Sequence, residues 1–234
     1  MKKFAQPIVL TAIVLVAAYG TARLWHVPGV NPDSNHAHAD FAVWVDGQKL
    51  DFSADEYMSA PPDSDHEKTS FLTIPSAFAH DDGEHAALPG REYLHLHDGN
   101  GHVIHRHKPQ LTLGDFFTSI GLQMTTDCLV LDAHQFSALD VGKVAEYHWT
   151  KKLCNDGTFH WNFVVNGHQR PTDPSFVFQD GDKILLSYSA SDTVWQEEWK
   201  QMTDDACMYS KTCPWKGEPP TEGCIADPTV PCRE

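Results

Sequence analysis

The sequence predicts an α+β domain, a β-grasp-like mixed sheet packed on one short helix, followed by a disulfide-rich C-terminal tail. Three observations lead there. Short alternating apolar segments are bounded by Asp-Gly or Asn-Gly turns; a single compact stretch of helical period lies between them; and four of the six cysteines fall at or beyond Cys207.

The first residues address export. Met1-Lys2-Lys3 is a basic start, Ile8 to Tyr19 is apolar, and Gly20-Thr21-Ala22 precedes Arg23, so 1–22 reads as a signal peptide or an N-terminal transmembrane anchor. Ala5 to Ala22 is at the lower edge of a bilayer-spanning length, which leaves both readings open. Either way the remainder is expected outside the cytoplasm, secreted or membrane-anchored. Residues 23–35 form a linker, and 36–190 the β-grasp-like domain.

Within that domain, His38 to Val45 alternates as a strand with Phe41, Val43 and Val45 on one face, and Asp46-Gly47 turns it into Gln48 to Phe52. Residues 53–91 show no sustained period and form a loop insertion carrying His66, His80 and His85, which read as solvated. Tyr93 to His107 is a histidine-rich hairpin about Asp98-Gly99-Asn100-Gly101. Leu113, Phe116, Phe117 and Ile120 then keep helical spacing, with Thr112 as N-cap and Gly121 as the stop. Cys128 to Leu131 is a buried-type strand followed by an irregular segment to Trp149. Phe159, Trp161, Phe163 and Val165 alternate towards the turn Asn166-Gly167, and Lys183 to Tyr188 closes the core. Residues 191–234 hold a terminal helix over Val194 to Met202, with Trp195 and Trp199 one turn apart, and the cysteine-rich tail.

An even number of cysteines in an exported chain points to disulfides: Cys128 with Cys154, and two bridges among Cys207, Cys213, Cys224 and Cys232. The rival, a four-thiolate zinc site in the tail, lacks the short CxxC knuckles such sites use. A formal net charge of -15 with His neutral argues against nucleic acid or an anionic membrane surface as a partner, and favours cations. No protein partner is identifiable from the sequence.

Fifteen histidines supply the functional signal. Residues two apart on a strand share a face, so His36/His38, His95/His97 and His105/His107 are three pairs of co-facial imidazoles, the commonest side-chain ligand for transition metals. These six, with His102 as a register-dependent replacement, are the candidate ligands for Cu²⁺ or Zn²⁺. A four-residue turn with His97 opposite His102 groups His102 with His95 and His97. A bulged three-residue loop with His97 opposite Gly101 groups His105 and His107 with them instead. The competing reading makes the histidines a solvated polar face of a sheet whose core face carries Leu94 and Leu96.

The expected function is therefore an extracytoplasmic transition-metal-binding module, with no catalytic residues assigned. A metalloenzyme, hydrolase or oxidase, on the same cluster and a plain protein-interaction module are the alternatives. Known patterns fit poorly: His97-Asp98-Gly99 lacks a cupin's glutamate, there is no HxHxDH run, the third-histidine spacing of a carbonic anhydrase is missing, and no GxSxG occurs.

Two resemblances add to this. TLGDFFTSIGL, WNFVVNG and FVFQDGDKILLSYS, over residues 110–190, resemble the ubiquitin-like β-grasp pattern of transcobalamin-C-terminal-like domains, which do not share the histidines. HAHADFAVWVDGQKLDFS, YLHLHDGNGHVIHRH, TLGDFF and DACMYSKTCPWKGEPPTEGC are similar to a family of exported, membrane-anchored, His-rich proteins of archaea and candidate-phyla bacteria. That second resemblance implies a compartment and an architecture, and no activity.

Overall fold

Alternation in AHADFAVWV places Ala37, Ala39, Phe41, Val43 and Val45 on one side of the first strand, β1 (Ala37–Val45), and His38, Asp40, Ala42 and Trp44 on the other. Every one of these residues is buried in the computed structural model, which describes residues 31, 36–59, 90–139 and 151–218. The sheet is thus covered on both faces. Its remaining strands are β2 (Gln48–Lys49), β3 (Leu94–His95), β4 (Val103–Arg106), and, after a small separate sheet, β8 (His160–Val165), β9 (His168–Arg170) and β10 (Asp182–Ser189).

The order is β3-β4-β1-β10-β8-β9, with β2 also on β1. A parallel pair, β1 with β10, lies at the centre, and antiparallel hairpins flank it on either side, which is the β-grasp arrangement. Asp46-Gly47 (φ 48° and 76°) and Asn166-Gly167 (φ 53° and 77°) have the paired left-handed conformations that match the strand twist in tight hairpins.

The core face of the sheet carries the predicted helix, Leu113–Ser119. Thr112 and Asp115 form a reciprocal capping box, and the helix ends with Gly121 N–H on Thr118 O and Leu122 N–H on Phe117 O. Its Phe116 meets Phe41 edge to face, centroids 5.0 Å apart. Burying side chains of this size stabilises by about 1.5–3 kcal/mol each.

A small sheet, β5 (Gln123–Met124), β6 (Cys128–Val130) and β7 (Lys152–Cys154), sits beyond the helix, and Cys128 opposite Cys154 forms the expected disulfide. The segment after Leu131 departs from the irregular reading: Ala133–Ala138 is helical. Asp132 caps it by accepting from Gln135 N–H, but its only fully buried side chain is Gln135, so it lacks the apolar period that reveals a helix.

The second face is covered by the C-terminal segment. Trp195, Trp199 and Met202 pack over Ala42, Trp44, Val164 and Leu185; Ala206 and Tyr209 pack on Val103. Between these patches the buried Asp40 carboxylate accepts from Thr203 Oγ1 (2.6 Å), Asp205 N–H (2.9 Å) and Ala206 N–H (3.1 Å), tying the segment to β1. The Cys207–Cys213 disulfide closes a short loop there. Cys224 and Cys232 lie outside the described residues, as do residues 60–89 with His66, His80 and His85, and the N-terminal segment 1–22. Among the described residues no helix is long and apolar enough to cross a membrane.

Candidate metal centre

The three histidine pairs fall on three adjacent strand arms. His95 is opposite His105 between β3 and β4, and His105 is opposite His38 between β4 and β1, so these three form one row across the sheet. His36 and His107 lie beside that row on the same face, stacked with centroids 4.2 Å apart; His107 stacks also on His95 at 4.8 Å. His97 meets His105 at 3.8 Å. All six predicted imidazoles therefore belong to one contiguous cluster.

The hairpin connection explains this grouping. His97 O accepts from Asn100 N–H (2.9 Å), and Asp98 (φ 58°) and Gly99 (φ 68°) make a two-residue turn. Continued without interruption, that turn would set His95 opposite His102, yet His95 faces His105, so three residues are looped out of the second arm. Asn100 Oδ1 holds them by accepting from His102 N–H (3.0 Å) and Val103 N–H (3.1 Å). Gly101 is required where this arm passes the Phe52-Ser53 main chain, because a Cβ there would stand 2.5 Å from Phe52 C and Ser53 N. Neither turn expected from the sequence is the one formed. The face selected is the one the bulged loop gives, with His105 and His107 joining His95 and His97. His102 is outside the cluster, its Nε2 3.0 Å from Asp205 Oδ2.

The competing reading of a solvated histidine face is overturned. His38, His95, His105 and His107 are 1, 2, 0 and 7% exposed, and His36 is half-buried. The C-terminal segment lies over His38, His97 and His105: the Tyr209 ring stands 4.7 Å from His105, 5.7 Å from His38 and 5.8 Å from His97, and its hydroxyl accepts from Asn100 Nδ2 (2.8 Å).

Partners on the far nitrogens set the tautomers. His95 Nδ1 lies 2.8 Å from Arg91 O and His97 Nδ1 2.8 Å from Asp98 Oδ2; both partners only accept, so each Nδ1 carries the hydrogen and each Nε2 the lone pair. His105 Nδ1 is 3.1 Å from that His97 Nε2, so it donates, and its lone pair also rests on Nε2. Ser210 Oγ, whose own hydrogen goes to Asp180 or Ala206 O, takes His38 Nδ1–H at 2.8 Å. Burial raises the Asp180 carboxyl, but hydrogen bonds from His38 and Ser210 outweigh it and hold it below the ordinary carboxylate range. Four rings are thus fixed through Nδ1, the outer-shell arrangement that orients metal-ligating histidines.

His38 Nε2 and His36 Nε2 are 3.1 Å apart, and His36, His38 and His105 each offer a ligand atom, all within 4.8 Å of one another. This trio can hold a metal ion. The contribution of Tyr209, Ser210, Asp180 and the Arg91 carbonyl carried no sequence signal. They come from a distant tail, a loop before β10 and a main-chain atom, and only the fold brings them to the histidines. A different group, His134 with Glu56 and with Tyr57 bonded to Asp132 (2.6 Å), joins the start of the small helix to the turn Asp55–Tyr57.

Fold and site together define a β-grasp-like protein with a buried histidine cluster able to hold a metal ion. Comparison with protein-family models, with curated proteins and with solved structures returned no match.

Proposed function

We propose that this protein is an extracytoplasmic module that binds a transition metal, Cu²⁺ or Zn²⁺, through the sheet histidines. The observation that carries the reading is the fixing of His38, His95, His97 and His105 through Nδ1 around a buried face. His36, His38 and His105 form the inner set, His95 and His107 flank it with further nitrogens, and His97 positions the His105 ring by accepting from its Nδ1. A donor set of neutral imidazoles suits these two ions and disfavours Mg²⁺ and Ca²⁺, which prefer oxygen.

Two disulfides fit an oxidising compartment, and the acidic charge draws cations to the surface. Tethering through Ala5 to Ala22 completes the reading, in line with the family of exported His-rich proteins that the chain resembles. The metalloenzyme alternative has less support, because catalysis needs an open coordination position and a substrate path, whereas Tyr209 stands over the rings.

Calorimetric titration of the purified protein with Zn²⁺ and Cu²⁺ tests the reading. Stoichiometric binding is expected at pH 7 and its loss near pH 5, where protons compete for imidazole nitrogen. Absence of stoichiometric binding at pH 7 rules the reading out.

A further inference from the structure

We propose that the disulfide-closed loop Cys207–Cys213 is a redox-operated door over the metal centre, opened when a dithiol reductant cuts its bond. This inference rests on the metal-binding reading above and adds its regulation. Tyr209 and Ser210, which lie against His38 and His105, both fall between the two cysteines, which are six positions apart. His38 and His105, 1 and 0% exposed, lie under these two side chains, so opening the loop uncovers two of the three inner ligands.

What holds the loop down is divided between polar ties and the cross-link. Ser210 reaches Asp180 and His38, Tyr209 is anchored on Asn100, and Ala206 N–H bonds the Asp40 carboxylate. The apolar contribution is small, Ala206 and Tyr209 against Val103. A loop with so few buried apolar contacts belongs to the low end of local stability, where a cross-link decides whether it stays closed.

The cysteines differ in access. Cys213 is buried, whereas Cys207 is partly exposed. A dithiol's thiolate therefore attacks Cys207 Sγ; the S–S bond breaks, and Cys213 leaves as a thiolate that takes a proton. The reductant's second thiol then attacks the mixed disulfide, releasing Cys207 as a thiol and closing the reductant into its own disulfide. Two electrons and two protons pass to the protein. The Cys128–Cys154 bridge lies in the small β5-β6-β7 sheet and serves as the internal control.

The experiment loads the full chain with Zn²⁺ and follows its transfer to excess EDTA with and without dithiothreitol, mapping each disulfide by mass spectrometry. Release is expected to accelerate by about tenfold or more once Cys207–Cys213 is reduced, the scale on which a short-loop cross-link acts. Cys207→Ser with Cys213→Ser should be fast without reductant and insensitive to it; Cys128→Ser with Cys154→Ser should behave as the parent. Amide exchange at Ala206 and Ser210, expected to speed up on reduction, gives a readout that needs no variant. Equal release rates before and after cutting Cys207–Cys213 overturn the door while leaving metal binding intact. Failure of the protein to take up Zn²⁺ in both the oxidised and the reduced state overturns the metal reading and the door with it.

Discussion

At the scale of single residues, histidines that would hold a metal differ from the groups that aim them. Ser210 touches His38 Nδ1 and passes its own hydrogen to an oxygen, so Ser210→Ala removes the acceptor that fixes that ring. Loss of such an outer-shell partner costs about 10–100-fold in metal affinity, measurable by competition with a chromogenic chelator, with Ser210→Thr expected to restore most of it. His102→Ala should leave affinity unchanged, since that ring pairs with Asp205 away from the cluster. Glu198 makes a separate residue-level case. It is buried on the inner side of the helix Trp195–Trp199, burial pushes its carboxyl above the usual range, and the Ser187 hydroxyl lies close without completing a hydrogen bond. A carboxyl raised in the folded state binds its proton more tightly there than in the unfolded chain. Stability therefore falls as pH rises from the ordinary glutamate range through the raised value. Glu198→Gln should raise Tm at pH 7 and leave it nearly unchanged at pH 4, a difference scanning calorimetry resolves.

At the scale of elements, legibility followed the strength of local periodicity. The helix Leu113–Ser119 was readable down to its Thr112 cap and Gly121 stop because cap, period and stop agree. Strands β1, β8 and β10 were readable from alternation, and Asp46-Gly47 and Asn166-Gly167 from turn chemistry. Strands β5 and β7 are two and three residues long, too short to show a period, and exist through pairing with β6. Hairpin register was the decisive unknown at the site. Sequence narrowed the histidines to two groupings but not to one, because the choice depends on Asn100 bonding forward to His102 and Val103 and on Gly101 passing the Phe52 backbone. Gly101→Ala tests that origin directly. A Cβ 2.5 Å from main-chain atoms has nowhere to go, so the variant should lose about 1–3 kcal/mol in urea unfolding, and metal affinity with it as the arms shift.

At the scale of the molecule, one sheet does two jobs with its two faces. Phe41, Phe116, Phe163 and their neighbours form an apolar core on one side, while the other carries six imidazoles under a tail fastened by the Asp40 carboxylate. Sequence showed that the histidines were co-facial in pairs. It did not show that the tail returns to cover them, since its anchors are scattered polar contacts, among them Asp40, Asn100 and His102, each more than a hundred positions earlier. Covering converts a solvated patch into an enclosed ligand set, so metal should stabilise the whole fold and not merely decorate it. With free Zn²⁺ at 100 times Kd the folded state gains about 2.7 kcal/mol, visible as a rise in Tm that EDTA reverses.

The most direct measurement of the central claim is an anomalous difference map from crystals of the Zn²⁺- or Cu²⁺-loaded protein. A peak bonded to the imidazole nitrogens of His36, His38 and His105 is expected, at about 2.0–2.1 Å for zinc. A peak elsewhere, or none at these rings in protein that elemental analysis shows to be loaded, would contradict it.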